Sequence, residues 1–136
     1  MKYMILHYAS QADYAAMAGQ DSAVGRAWAP EEVAAMGEFM GKWTNELVES
    51  GEFVDAVGLA APAHTRRVGV GNVITDGPYA ETTEVLAGYT IVECASFDRA
   101  TEIAAKLADT PAPDYVRDRG YIDIRPLMDS LEEMSA

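Results

Sequence analysis

The sequence predicts an α+β fold, a ferredoxin-like βαββαβ plan with an extra β-hairpin in its middle. Two observations predict it. Strand-like and helix-like segments follow one another in that order, and each of the two long helices carries one apolar stripe. Two helices cover only one face of a sheet, so we expect the other face to pack against a second copy of the chain. A length of 136 residues is typical of one domain, predicted here over residues 1–136.

The first strand is predicted at residues 3–8, which are rich in β-forming side chains. Alternation puts Tyr3, Ile5 and His7 on one face, and because both faces are largely apolar, we expect a central strand. Residues 9–29 are small and polar, and they predict a loop insertion with no more than a helical turn near 13–17. A loop this long in a compact domain is often functional.

A long amphipathic helix is predicted from Pro30 up to Gly51. Pro30 suits the first turn because the N–H that proline lacks would have no partner there, and Gly51 suits the end of a helix. The apolar stripe consists of Val33, Met36, Met40, Trp43 and Leu47. Gly37 and Gly41 lie four residues apart, and they leave a flat surface that another backbone or a ligand could approach closely.

The second half of the chain carries a predicted hairpin, a second helix and the remaining strands. Gly71-Asn72 joins two short apolar runs, and glycine accepts the positive φ of a tight turn, which predicts the hairpin. Ser96 is a good N-cap for a second amphipathic helix. The other strands are predicted at 53–59, 86–94 and 121–125, and an acidic tail, frayed or weakly helical, at 128–136.

Charge and composition exclude several classes of function. Ten Lys and Arg against 22 Asp and Glu give a net charge of −12. Such a surface repels phosphate backbones and anionic lipids, so we expect neither nucleic-acid nor membrane binding. Two histidines and one cysteine form no metal-ligand pattern, and no glycine-rich nucleotide motif is present, so no metal or cofactor is predicted. The single Cys94 and the lack of a signal-peptide pattern predict a cytoplasmic protein.

A motif occupies residues 73–89, where a short strand, a loop and a long strand follow one another. It reads Val-Ile-Thr-Asp-Gly-Pro-Tyr-Ala-Glu-Thr-Thr-Glu-Val-Leu-Ala-Gly-Tyr. This stretch resembles the signature of the YCII-related family, specifically of its DGPF branch. The matching residues are Asp76, Gly77, Pro78, Ala80, Glu81, Thr82, Glu84, Gly88 and Tyr89. The first residues and residues 122–126 are also similar to that branch, so the resemblance extends over the chain apart from 9–29.

The resemblance implies a dimeric α+β barrel, which agrees with the predicted plan and with the uncovered face of the sheet. Family members resemble small ring-modifying enzymes such as muconolactone isomerase. Members of the DGPF branch are also commonly encoded beside extracytoplasmic-function sigma factors, which implies a regulatory role instead.

Three positions depart from the family pattern. Tyr79 replaces phenylalanine, Thr83 replaces lysine, and residues 30–47 lack the histidine of the His–acid pair proposed for the YCII branch.

His7 and Asp76 are the candidate catalytic residues. His7 is either a hydrogen-bonded core histidine or, if its face lines a cavity, a proton-transfer group. Asp76 either caps the motif turn or acts as a general base, for which burial would have to raise its pKa. The candidate ligand-binding residues are Trp43, Arg66, Tyr79, Glu81 and Tyr89.

Three functions are compatible with the sequence. The first is a cofactor-free enzyme that binds a small organic molecule in an apolar pocket and moves protons, as in isomerase or lyase chemistry. In that case one of Arg66 and Arg67, which point to opposite faces of a strand, would bind a ligand carboxylate or phosphate; the alternative is that these arginines pair with nearby acidic residues. The second is a regulatory or accessory homodimer that partners a sigma factor, because an acidic surface suits a basic protein. The third is a purely structural homodimer.

Overall fold

The computed structural model describes residues 1–76 and 81–135, and it has the predicted α+β class of fold. The strands are β1 (Lys2–Ala9), β2 (Phe53–Gly58), β3 (Arg66–Val68), β4 (Ile74–Asp76), β5 (Val85–Glu93) and β6 (Ile122–Pro126). The helices are α1 (Gln11–Met17), α2 (Pro30–Ser50), α3 (Phe97–Ala105) and α4 (Asp114–Arg117). Short 3₁₀ turns lie at Pro62–His64, Val70–Asn72, Lys106–Asp109 and Leu131–Ser135.

A four-stranded antiparallel sheet forms the centre of the protein, in the order β2-β5-β1-β6. β1 pairs with β5 along its whole length, from Lys2 opposite Glu93 to Ala9 opposite Val85, with a bulge after His7. The position of β1 between β5 and β6 confirms the prediction of a central strand. β3 and β4 form a separate two-stranded sheet.

The hydrophobic core lies between one face of the sheet and the helices α2 and α3. Ile5 is fully buried there, and alternation places Tyr3 on the same face. The buried members of the core are Tyr3, Ile5, Trp43, Leu47, Val92, Ala100, Ile103, Ala104 and Leu107. The indole Nε1 of Trp43 donates a hydrogen bond to the backbone oxygen of Ile103 at 3.0 Å, which joins α2 to α3. Trp43 therefore has a structural role in the core.

The long helix begins and ends where the sequence predicts. Pro30 is its first residue, and Gly51 follows it in the left-handed conformation at φ 81°. Of the predicted stripe, Trp43 and Leu47 are buried and the other members are half-buried. A Cβ added at Gly37 or Gly41 would have no described atom within 4 Å, so the close approach predicted for this surface is not seen among the described residues.

The stretch 9–29, predicted as a loop, contains helix α1. Its start is a capping box: the Asp13 backbone N–H donates to Ser10 Oγ, and the Asp13 side chain accepts from the Ser10 backbone N–H. Ala12 and Ala16 are completely buried. The helix is longer than the single turn predicted near 13–17, because two buried alanines and one capping pair stabilise a segment that is too short for a periodic apolar pattern.

The predicted hairpin forms, with shorter strands. Gly71 and Asn72 both have positive φ, at 75° and 61°, as a tight turn between twisted strands requires. The strands cover only 66–68 and 74–76, and every residue of the hairpin is exposed, including Val70 at 99 %. The hairpin thus extends away from the main sheet.

The opposite face of the main sheet carries apolar side chains of its own. Alternation places Met4 and Leu6 of β1 on this face, together with Tyr89 and Ile91 of β5, which pair with them. Leu6 is buried and the other three are half-buried, and none of the four belongs to the core cluster that contains Trp43 and Ile103. This face is therefore distinct from the one that α2 and α3 cover.

Two glycine substitutions test how closely the strands pack. At Gly88 an added Cβ would lie 2.6 Å from the backbone oxygen of Val57 and 3.3 Å from Cα of Gly58, because β2 passes close to β5. We expect Gly88→Ala to lower the free energy of unfolding by about 1–3 kcal/mol, as overpacking does. Gly41→Ala, in open space on α2, is expected to raise it by about 0.5–1 kcal/mol. Urea denaturation measures both, and an equal effect of the two variants would contradict the packing described.

Candidate functional site

Two adjoining cavities lie beside Trp28, which is buried at 6 % exposure. The larger, of about 500 Å³, lies between α3, the turn after it, α4 and β6. The smaller, of about 180 Å³, lies between the end of β1, α1, α2 and the segment that follows α4. Trp28, Val116 and Gly120 line both cavities, so the two spaces share a wall. An apolar space with a few converging polar groups is the usual form of a small-molecule site.

Asp13 forms part of the polar wall of the smaller cavity. One carboxylate oxygen accepts hydrogen bonds from the backbone N–H and hydroxyl of Ser10, at 2.8 and 2.9 Å. The other accepts one from Nη2 of Arg119 at 2.7 Å. Burial alone would raise the pKa of Asp13, but the hydrogen bonds from Ser10 and Arg119 outweigh it, and the pKa lies below the usual value. Asp13 therefore stays ionised and orients Arg119.

Two of the three nitrogens of the Arg119 guanidinium donate hydrogen bonds within the protein, and Arg119 also lines the smaller cavity. Its Nε donates to the backbone oxygen of Tyr115 at 2.9 Å, and its Nη2 donates to Asp13. The remaining nitrogen, Nη1, lies 3.8 Å from Oε1 of Glu84, which is an ion pair too long for a hydrogen bond. Nη1 can therefore donate to a bound molecule without breaking a hydrogen bond to Asp13 or Tyr115.

Glu84 is the half-buried carboxylate of this wall, and it comes from the motif segment. A hydrogen bond to Glu84 is the main reason that the pKa of Tyr121 lies above the ordinary value. Tyr121 stacks on Tyr8 with ring centroids 5.2 Å apart, and the Tyr8 hydroxyl donates to Asp123 at 2.9 Å, which raises the pKa of Tyr8. Both phenols therefore stay protonated at neutral pH.

The smaller cavity thus combines the carboxylates of Asp13 and Glu84, a guanidinium N–H and apolar walls. Met17, Met36 and Val116 supply apolar surface beside the polar groups. A carboxylate can accept a proton from a bound molecule, and a guanidinium can stabilise negative charge that develops on its oxygen. This arrangement is suited to acid–base chemistry on a small organic molecule.

His7 lies on β1, half-buried, with Nε2 3.5 Å from the buried hydroxyl of Thr90. Burial lowers the pKa of His7, so the imidazole is neutral at pH 7. Its protonation state suits a base. His7 does not line either of the two cavities as the described residues define them.

Asp76 and Arg66 lie in the exposed hairpin rather than in the main sheet. Asp76 ends β4, and its Cα is the register partner of Arg66 in β3. His7 belongs to the four-stranded sheet, so the two candidate catalytic residues are on different sheets. Neither Asp76 nor Arg66 lines the two cavities.

The other predicted ligand-binding residues are also separated from the cavities. Trp43 is a core residue bonded to Ile103. Glu81 is exposed, and its backbone oxygen accepts a hydrogen bond from Ala12 N–H at 2.9 Å. Tyr89 is half-buried on the face of the sheet away from α2 and α3. Tyr79 lies outside the described residues.

The sequence did not indicate Asp13, Trp28, Arg117 or Arg119 as site residues, and it suggested no role for Glu84, although the motif contains it. The Ser10-x-x-Asp13 spacing is a capping-box signal that would have found α1. For Arg119 the sequence carries no signal, since its partner Asp13 is 106 residues away.

Two general features of the described residues bear on function. Within 1–76 and 81–135, no three His, Cys, Asp or Glu side chains are grouped so that they could hold a metal ion. Over the same residues, every helix is too short or too polar to cross a membrane.

These features define a small α+β protein whose helices and sheet edge border an open, partly apolar cavity with one charged wall. The chain belongs to the YCII-related family, because the model of the YCII-related domain matches residues 1–125. It is also similar to an uncharacterized protein of Rhizobium meliloti (strain 1021), with 30% identity over 117 residues that span 84% of this chain and 90% of that protein. All residues that line the two cavities fall within the matched range.

The Asp13–Arg119 pair predicts a pH dependence of stability. A carboxyl whose folded-state pKa is lowered contributes stability above its unfolded pKa, near 4, and that contribution is lost as the pH falls through the folded pKa. We expect Asp13→Asn to cost about 1–3 kcal/mol of unfolding free energy at pH 6, and less at pH 3 and below. Urea denaturation at several pH values measures this difference. Glu38→Gln, which removes one exposed charge from α2, is the control, and a pH-independent cost of Asp13→Asn would contradict the ion pair.

Proposed function

We propose that this protein is a cofactor-free enzyme that moves a proton on a small organic molecule, as in isomerase or lyase chemistry. The observation that supports the proposal is the charged wall of the smaller cavity, where Glu84 and Arg119 face the same space as apolar side chains. The adjoining larger cavity supplies room for the rest of a substrate.

In the proposed reaction, Glu84 acts as the general base. Its carboxylate removes a proton from the carbon next to a carbonyl group, and the electron pair of the broken C–H bond moves onto the carbonyl oxygen. Nη1 of Arg119 stabilises the oxyanion. Return of the same proton from Glu84 to another carbon of the conjugated system completes an isomerisation. The isomerisation moves one proton and changes no oxidation state, so it needs no oxidant, reductant or metal.

Asp13 acts in this scheme as a positioning residue. It holds Nη2 of Arg119 at 2.7 Å, while Tyr115 holds Nε, so that the plane of the guanidinium is set before a substrate binds. Catalytic groups that are oriented in advance need little reorganisation during the reaction.

In an alternative assignment, His7 and Asp76 carry out the same proton transfer in place of Glu84. His7 is neutral at pH 7 because burial lowers its pKa, which suits a base. Asp76, however, lies on the exposed hairpin, and a proton-transfer partner must be within hydrogen-bond reach or one water away. The proposal therefore gives the role of base to Glu84.

We further propose that the sheet has a ferredoxin-like arrangement, that the protein forms a homodimer, and that it belongs to the DGPF branch of the family. The strand order β2-β5-β1-β6 supports a ferredoxin-like arrangement, and the second apolar face of the sheet, with Met4, Tyr89 and Ile91, supports a homodimer in which two sheets stack. The residues Asp76, Glu81 and Glu84 of the motif support membership of the DGPF branch.

Deuterium exchange tests the proposed reaction. The protein is incubated in D2O with a panel of small unsaturated lactones and cyclic ketones, and loss of the carbon-bound proton next to the carbonyl is followed by ¹H NMR. We expect exchange above the buffer rate for at least one compound. Glu84→Gln is expected to lower that rate by a factor of about 10² or more, the range of a lost general base.

Three further variants separate the assignments. Glu93→Gln removes an exposed carboxylate from the far end of β5, the strand that follows Glu84, and is expected to retain the rate. If Asp76→Asn or His7→Gln abolishes exchange and Glu84→Gln does not, the base has been assigned wrongly. If no compound of the panel exchanges above the buffer rate, the proposal of catalysis is contradicted and the regulatory homodimer is favoured.

A further inference from the structure

The larger cavity beside Trp28 is kept open by small side chains. Seven of its lining residues are glycine, alanine or threonine, and they come from α3, the turn after it and the segments on either side of α4. They are Thr101, Ala104, Ala105, Ala108, Thr110, Ala112 and Gly120. Several of these residues are exposed, so the space, of about 500 Å³, is a groove that opens to solvent. Larger side chains at these positions would fill it.

The shape of the cavity indicates where a ligand would reach. Trp28, Val116 and Gly120 also line the smaller cavity, so a molecule in the larger space lies next to the charged wall of Glu84 and Arg119. Leu107, Ile122 and Ile124 complete the apolar surface of the larger space. Such walls favour an uncharged ring system rather than a sugar or a nucleotide.

Arg117 is the charged side chain among the residues that line the larger cavity. Its nearest carboxylate is that of Asp114, at 3.9 Å, and the Asp114 side chain is 95 % exposed. An exposed pair at that distance contributes little, so Arg117 can exchange it for a ligand carboxylate at little cost. A guanidinium binds a carboxylate with two parallel hydrogen bonds, which fixes orientation as well as charge.

We infer that the substrate of this protein is a small apolar ring compound that carries one carboxylate, with the ring in the larger cavity and the carboxylate on Arg117. This inference rests on the proposed function, since it names the substrate class of the same site. The bound ring extends from Arg117 past Trp28, and its reactive carbon lies toward Glu84. The carboxylate-binding arginine differs from the sequence-based expectation, which gave this role to Arg66 of the hairpin.

Fluorine NMR tests binding without reference to catalysis. The chain contains two tryptophans, so labelling with 5-fluorotryptophan gives two resonances, which Trp28→Phe assigns. The probe is 2-naphthoate, and its neutral isostere 2-naphthamide is the comparison ligand. We expect 2-naphthoate to shift the resonance of Trp28 in a saturable manner and to leave that of Trp43, which lies in the core, unchanged.

Two variants locate the site, and each has its control. Ala108→Phe fills the cavity from an exposed position and is expected to weaken the binding of 2-naphthoate at least tenfold. Ala34→Phe adds the same side chain at an exposed position on α2 that lines neither cavity, and it is expected to leave binding unchanged. Arg117→Gln is expected to weaken 2-naphthoate about tenfold, as loss of a charge-assisted hydrogen bond does, and to leave 2-naphthamide unchanged.

Each outcome decides the inference. Saturable binding that Ala108→Phe and Arg117→Gln weaken supports it. It is overturned if 2-naphthoate shifts both resonances alike, if the two ligands bind equally well, or if Ala34→Phe weakens binding as much as Ala108→Phe. Deuterium exchange that persists without 2-naphthoate binding would overturn only the substrate class. Binding without exchange would contradict the proposed reaction and leave the ligand site in place.

Discussion

The antiparallel pairing of β1 with β5 is the interaction on which the rest of the structure depends. It places Tyr3 opposite Val92 in the core, and at the other end it places Ala9 opposite Val85. The residues just beyond that end, Ser10 and Glu84, are consequently neighbours in space. Ser10 caps α1 and so positions Asp13, while Glu84 enters the same cavity from the motif. One strand pair thus supports the core and the candidate site.

The sequence predicted those secondary-structure elements whose position is determined by a few residues adjacent in the chain. The long helix is bounded by Pro30 and Gly51, and the hairpin turn is set by Gly71, so each could be located from a few adjacent residues. The full length of helix α1 was not predicted, because two buried alanines in seven residues do not form a recognisable apolar stripe. The α+β class followed from the order of the elements alone.

The candidate site could not be predicted in the same way. Its main contact joins Asp13 to Arg119, which are 106 residues apart, and only the folded sheet brings α1 and the segment after α4 together. His7 and Trp43 were noticed because they are chemically conspicuous in the sequence. The structure gives Trp43 a place in the core and His7 a place beside Thr90. A residue type alone does not tell whether a side chain faces a cavity, since that depends on the elements packed against it.

The wall that the two cavities share has a geometric consequence. Trp28 is nearly completely buried and contacts both spaces, so any displacement of its indole ring by a molecule on one side changes the shape of the other. A molecule that spans both spaces has to pass this ring, so the position of the indole sets how its two ends lie relative to each other.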